Sequence, residues 1–156
     1  MCGMNKVECL ISPDGRDSLG VLIGSVRGEI VRAIESDLAR LGVDLKFTQF
    51  HMLKRLSMQG PMSATELARA VDLDGGAMTR QLDQLESKGY LRRQPHEQDR
   101  RALRIELTEA GVALFRHLHE TNAGTLERAQ RDLSADERER LHDYLARVLN
   151  ALRDKP

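Results

Sequence analysis

The sequence has no apolar run approaching the ~18 residues that a membrane span requires, and its opening stretch, MCGMNKVECLISPDGRDS, contains no basic region followed by a long apolar one. The first absence excludes a helical membrane protein, and the second gives no support for export, so the expectation is a cytoplasmic protein without a membrane partner. Cysteine is scarce. Cys2 and Cys9 are the only two, both in a leader of residues 1–17 that is expected to be mobile. A disulfide between them closes too small a loop to constrain the fold, and no cysteine pair has the setting of a zinc knuckle. Thiol-oxidation sensing at Cys9 stays open as an alternative, with Lys6 the cation nearest to it in sequence. No glycine-rich loop follows a strand, and no nucleophile has a visible base and orienting group, so the residues imply neither an enzyme nor a cofactor. His117 and His119 are two apart on a helix, face different ways, and lack the i, i+4 spacing of helix-borne metal ligands.

Net charge is the last absence. The chain carries 24 Lys and Arg against 24 Asp and Glu, which at first argues against nucleic acid, since phosphates must be met by cations. Its distribution reverses the argument: residues 1–74 carry a net −1, residues 75–105 a net +3, and residues 106–156 a net −2. The middle of the chain is locally basic.

What is present is enough for one domain, because a chain of 156 residues buries roughly 70% of the surface it exposes when unfolded. From Ser18 to Leu41, apolar residues at Leu19, Leu22, Ile23, Val26, Ile30, Ile34, Leu38 and Leu41 recur at helical period. Such a helix spans about 36 Å, so a second surface beyond the local core is expected to cover part of its stripe. Gly42 ends it. Thr48 is expected to cap a second helix through about Gln59 with Phe50, Leu53 and Leu56 inward, which Gly60-Pro61 stops. Ser63 and Glu66 form a capping box opening a short helix with Leu67, Ala68 and Val71 on one face. Asp72-Leu73-Asp74 is a turn, and Asp74 caps a fourth helix with Met78, Leu82 and Leu85 inward, ending at Lys88-Gly89.

Tyr90–Gln94 and Ala102–Leu107 read as two strands joined by a polar tip, Pro95 to Arg101, which together make a β-hairpin wing. Thr108 caps a fifth helix, and a second capping box, Ser134 with Glu137, opens a sixth with Leu141, Tyr144, Leu145, Val148 and Leu152 as its stripe. The expected fold is mainly α with a small β wing, in the order α-α-α-α-β-β-α-α, with room for one very short strand whose place the sequence does not give.

Two short helices joined by a tight turn, the second starting with the small residues Gly75, Gly76 and Ala77, suit insertion into a DNA major groove. With Met78, Leu82 and Leu85 inward, Gly76, Arg80, Asp83 and Ser87 fall on the opposite face, and Thr79 and Gln84 on its flanks. Arg80 is the candidate for a guanine edge, where a guanidinium bridges two acceptors. Its alternative is a surface arginine paired with Asp83 or Gln84. At the wing tip, Asp99, Arg100 and Arg101 place two guanidiniums beside a carboxylate that can orient one of them, suited to a narrow minor groove.

The segments LKFTQF (45–50), ELA (66–68), TRQLDQLESKGYL (79–91), DRR (99–101) and LTEAG (107–111) together resemble the MarR family of bacterial regulators. The resemblance implies a single domain over residues 18–156: a winged helix-turn-helix lobe at 46–108, and a dimerisation region from 18–42 with 109–153. It implies a homodimer that interlocks its first and last two helices on double-stranded DNA, with repression from a pseudo-palindromic operator relieved by a small aromatic or phenolic ligand. By the same resemblance Ser63 and Thr65 meet phosphates, Asp99 orients Arg101 in the minor groove, and Phe47, Phe50 and His51 are candidates to line the ligand cleft, with plain core the alternative for the two aromatics. Two readings outside the regulator class are a winged-helix module that binds protein, with no salt-sensitive affinity for any duplex, and a small-molecule carrier.

Overall fold

The computed structural model describes residues 18–95 and 103–154; the leader with Cys2 and Cys9, and Asp99, Arg100 and Arg101 of the wing tip, lie outside the described residues. The order is α1 (Leu19–Arg40), α2 (Phe47–Gln59), β1 (Met62–Ser63), α3 (Ala64–Val71), α4 (Gly75–Ser87), β2 (Leu91–Pro95), β3 (Leu103–Leu107), α5 (Glu109–Ala129) and α6 (Ala135–Arg153). It is the expected order with the short extra strand now placed, and a winged-helix fold. β1, β3 and β2 form a three-stranded antiparallel sheet with β3 in the middle. Met62 pairs with Ile105, and Arg92 with Glu106. Pro95, expected in the tip, instead ends β2 at the sheet edge, where its missing donor costs no ladder bond.

Most helices start where a side chain three residues upstream accepts an orphan amide. Ser63 and Glu66 exchange bonds at α3, and Ser134 and Glu137 at α6. Asp74 accepts from the Ala77 amide at 2.8 Å and Thr108 from the Gly111 amide at 3.1 Å. α2 departs from expectation: it begins at Phe47 after Lys46, so Thr48 lies inside the helix. The physical reason is tertiary. The Phe47 amide donates to Glu35 of α1 at 3.1 Å, and the Lys46 amide to Gln49 Oε1 at 3.1 Å, so the first turn needs no hydroxyl cap.

The core gathers Ile34 and Leu38 of α1, Met52, Leu53 and Leu56 of α2, Leu67 of α3, Met78, Leu82 and Leu85 of α4, Leu91 and Ile105 of the sheet, and Phe115 and Leu118 of α5. Only the C-terminal half of the α1 stripe takes part. Leu19, Leu22, Ile23 and Val26 stay exposed, as do Leu141, Tyr144, Leu145, Leu149 and Leu152 of α6, a helix with no buried residue. Among the described residues no helix is long and apolar enough to cross a membrane.

Candidate nucleic-acid interface

The α3–α4 turn sets the recognition helix. Asp72 takes a left-handed backbone at φ 58°, which lets Leu73 N–H bond back to Ala68 and releases the chain into the Asp74 cap. Burial of Met78, Leu82 and Leu85 then turns Gly76, Thr79, Arg80, Asp83 and Ser87 outward. Ala77 is half-buried at the helix start, and the Thr79 hydroxyl donates to the Gly75 carbonyl at 3.0 Å. Gln84 is exposed, but its Oε1 accepts from Gln49 Nε2 of α2 at 2.8 Å. Gln49 is itself 2% exposed, so a buried amide spans from the start of α2 to the recognition helix.

Among the described residues, the basic middle of the chain divides into braced and unbraced cations. Lys88 pairs with Asp44 at 2.8 Å, Arg92 with Glu106 across the ladder at 2.6 Å, and Arg104 donates to the Pro61 carbonyl at 2.8 Å. Arg93 donates to Asp83 at 2.6 Å and to Glu86, whose carboxylate also accepts the Arg93 amide at 3.1 Å. Arg80 differs: it is exposed and has no hydrogen-bond or carboxylate partner among the described residues. Both partners offered by its alternative reading are engaged elsewhere, Asp83 with Arg93 and the Gln84 carbonyl with Gln49.

Arg93 was not anticipated from the sequence. It ties the wing to α4, and a signal for it exists: strand alternation puts Arg93 on the inward face with Leu91, where an arginine needs carboxylates, and Asp83 and Glu86 are i, i+3 on the facing helix. Of the two residues carried to the start of α3, Ser63 is half-buried and engaged as the cap, while Thr65 is exposed in the first turn.

The three residues carried to a ligand cleft separate. Phe50 turns into the core and meets Phe115 at 6.2 Å between ring centroids. Phe47 and His51, 5.8 Å apart, line a cleft of about 490 Å³ between α1, α2, α3 and the end of α6. Burial, then the charges of Arg55 and Lys54, hold the His51 imidazole below the ordinary histidine pKa. Among the described residues no group of three or more His, Cys, Asp or Glu is arranged to hold a metal.

Comparison with known proteins extends this geometry. Residues 45–103 match the MarR family model, a span from the start of α2 to the first residue of β3. The chain is 33% identical over 132 residues to the multiple antibiotic resistance protein MarR of Salmonella typhimurium, covering 84% of this chain and 90% of that protein. It is also 33% identical over 107 residues to the HTH-type transcriptional regulator SarZ of Staphylococcus haemolyticus, covering 69% of this chain and 71% of that one. Among solved structures, a mutant of MarR from E. coli complexed with operator DNA matches with a TM-score of 0.74 at 32% identity, covering 84% and 93% of the two chains. The transcriptional regulator BldR from Sulfolobus solfataricus matches at 0.77 and 26%, covering 95% and 99%. An exposed α4, a wing braced to it, and a curated relative 33% identical over 90% of its own length lead to one conclusion: this chain belongs to the MarR family of DNA-binding transcription regulators.

Proposed function

We propose that two copies of this chain bind a pseudo-palindromic operator and repress transcription until a small aromatic or phenolic ligand enters the Phe47–His51 cleft. The observation that carries the DNA part is Arg80, outward on α4 and unpartnered among the described residues, while the other described cations of residues 75–105 are held by carboxylates or carbonyls. In this reading Arg80 takes a guanine edge, with Gly76 and Ala77 allowing close approach and Thr79 and Gln84 beside it. Ser63 and Thr65 meet phosphates. Arg100 and Arg101 enter the minor groove, with Asp99 orienting the second.

The lobe at 46–108 reads DNA, and 18–42 with 109–153 form the dimer. The exposed apolar residues of α1 and α6 support that division, since a helix without any buried residue has no core of its own to hold it. Two-fold symmetry then sets the half-sites about one helical turn apart. A ligand releases the operator only by binding better to the arrangement whose recognition helices do not match that spacing. That MarR of E. coli was solved with operator DNA supports this mode of binding here.

The test is fluorescence anisotropy on duplex from upstream of the chain's own gene, against salt, under reducing conditions and without ligand. If that duplex binds no better than random sequence, a selection from random duplexes supplies the operator. Tight specific binding is expected, with Arg80→Ala relaxing the preference for operator over random duplex and Arg101→Ala lowering the salt slope by about one. If selection also yields no preferred sequence, the reading fails.

A further inference from the structure

The cleft beside Phe47 and His51 is unusually rich in cations. Arg27 of α1, Arg55 of α2, Arg69 of α3 and Arg153 of α6 all line it, against one carboxylate, Asp72. None of these four arginines has a carboxylate within 4 Å among the described residues, whereas Arg32, Arg40, Arg92, Arg93 and Arg140 all do. A neighbouring cleft shares Arg55, Arg69 and Arg153 and brings in Glu66, whose carboxylate accepts the Ser63 amide at 2.8 Å and also feels the Arg69 charge. Arg55 gives a second, independent observation: its Nε is buried with no hydrogen-bond partner among the described residues. A buried guanidinium N–H left without an acceptor is rare in a folded protein and points to one supplied from outside. Phe47, Val71 and Leu149 add apolar wall.

Four guanidiniums against Asp72 leave a formal +3, or +2 with Glu66 of the adjoining cleft counted, so a ligand with a single carboxylate leaves charge unmet. We propose that this cleft binds a small polyanion, a molecule with two or more carboxylate or phosphate groups, whose acceptors engage Arg55 and Arg69 while its remaining surface lies on Phe47. Bidentate guanidinium–anion bonds in a concave, partly dry site supply both affinity and orientation. The inference rests on the ligand-released part of the function proposed above and specifies the anionic groups which that ligand carries.

The experiment is isothermal titration calorimetry of the full chain without DNA, at constant ionic strength, with phthalate, pyrophosphate and benzoate as probes. Phthalate or pyrophosphate is expected to bind at least about tenfold tighter than benzoate, and Arg55→Gln and Arg69→Gln are each expected to remove most of that preference. Which dianion is tighter separates a carboxylate ligand from a phosphate one. No binding by either dianion, benzoate binding as tightly, or a preference that survives both substitutions overturns the proposal. So does a result in which the substitutions leave the anions unaffected but flatten the salt dependence of duplex binding, since the arginines are then DNA contacts. Because calorimetry omits DNA, failure here leaves operator binding standing, and failure of operator binding leaves the anion preference measurable.

Discussion

The Thr125 hydroxyl of α5 donates to Asp37 Oδ2 of α1 at 2.6 Å, and both residues are buried. Arg40 meets the other carboxylate oxygen at 2.8 Å, and Arg128 donates to Thr125 at 3.1 Å. A charged, satisfied network thus joins α1 to α5.

That network makes stability depend on pH. The hydrogen bond from Thr125, with the charges of Arg40 and Arg128, holds the Asp37 carboxyl below its ordinary value despite the opposing effect of burial. A carboxylate whose folded pKa is depressed contributes its stability above the unfolded value, about 3.9, and loses it as pH falls through the lower folded value. Thr125→Val is expected to cost about 1–3 kcal/mol in urea unfolding at pH 7. The cost should shrink in acid. An equal cost at both ends of the pH range rules out the charged network as its source.

Gly111 sits where a Cβ would lie 1.9 Å from the Tyr90 carbonyl oxygen, so helix α5 packs directly on the backbone that links α4 to the wing. Gly111→Ala is expected to cost about 3 kcal/mol, since a backbone atom cannot step aside as a side-chain tip can. Gly124→Ala, in the same helix and 3.7 Å from only the Arg128 guanidinium, is the control. It should gain up to about 1 kcal/mol from helix propensity. Equal effects in denaturant unfolding refute the packing account.

The Gln49–Gln84 bond holds the recognition helix to α2. Gln49→Met and Gln84→Met are each expected to weaken operator binding relative to random duplex, with a coupling of about 0.5–3 kcal/mol in the double-mutant cycle. Additive losses mean that the bond does not position α4. A loss confined to Gln84→Met assigns that residue a direct DNA contact instead.

Val26 and Leu145 are exposed on α1 and α6. Val26→Asp and Leu145→Asp are expected to turn a dimer into a monomer in sedimentation at fixed concentration and to reduce full-operator affinity by at least about tenfold. Half-site affinity should hold. A wild type that sediments as a monomer at all concentrations contradicts the proposed interface.

Local chemistry made much of this fold legible. The caps Ser63, Asp74, Thr108 and Ser134 are read correctly because each bond spans three residues, and the left-handed glycine cap at Gly89, φ 76°, follows from a helix ending on Lys88. The outward face of α4 followed from the spacing of Met78, Leu82 and Leu85. The start of α2 was misplaced because its orphan amide is met by Glu35, twelve residues upstream; Phe50 lies inward with Leu53 and Leu56 as the period placed it, and its alternative place in a cleft stayed open because periodicity cannot separate core from pocket.

The sequence by itself determined the helical order, the caps at Ser63, Asp74, Thr108 and Ser134, the wing strands and the family, since these rest on periodicity, short-range bonds and motif spacing. Only the tertiary structure decided that Asp83 and Glu86 hold Arg93 and leave Arg80 unpartnered among the described residues, and that four arginines from four helices line one cleft. The reason is physical: these groups are distant along the chain, and the packing of the core, which no local pattern encodes, brings them together.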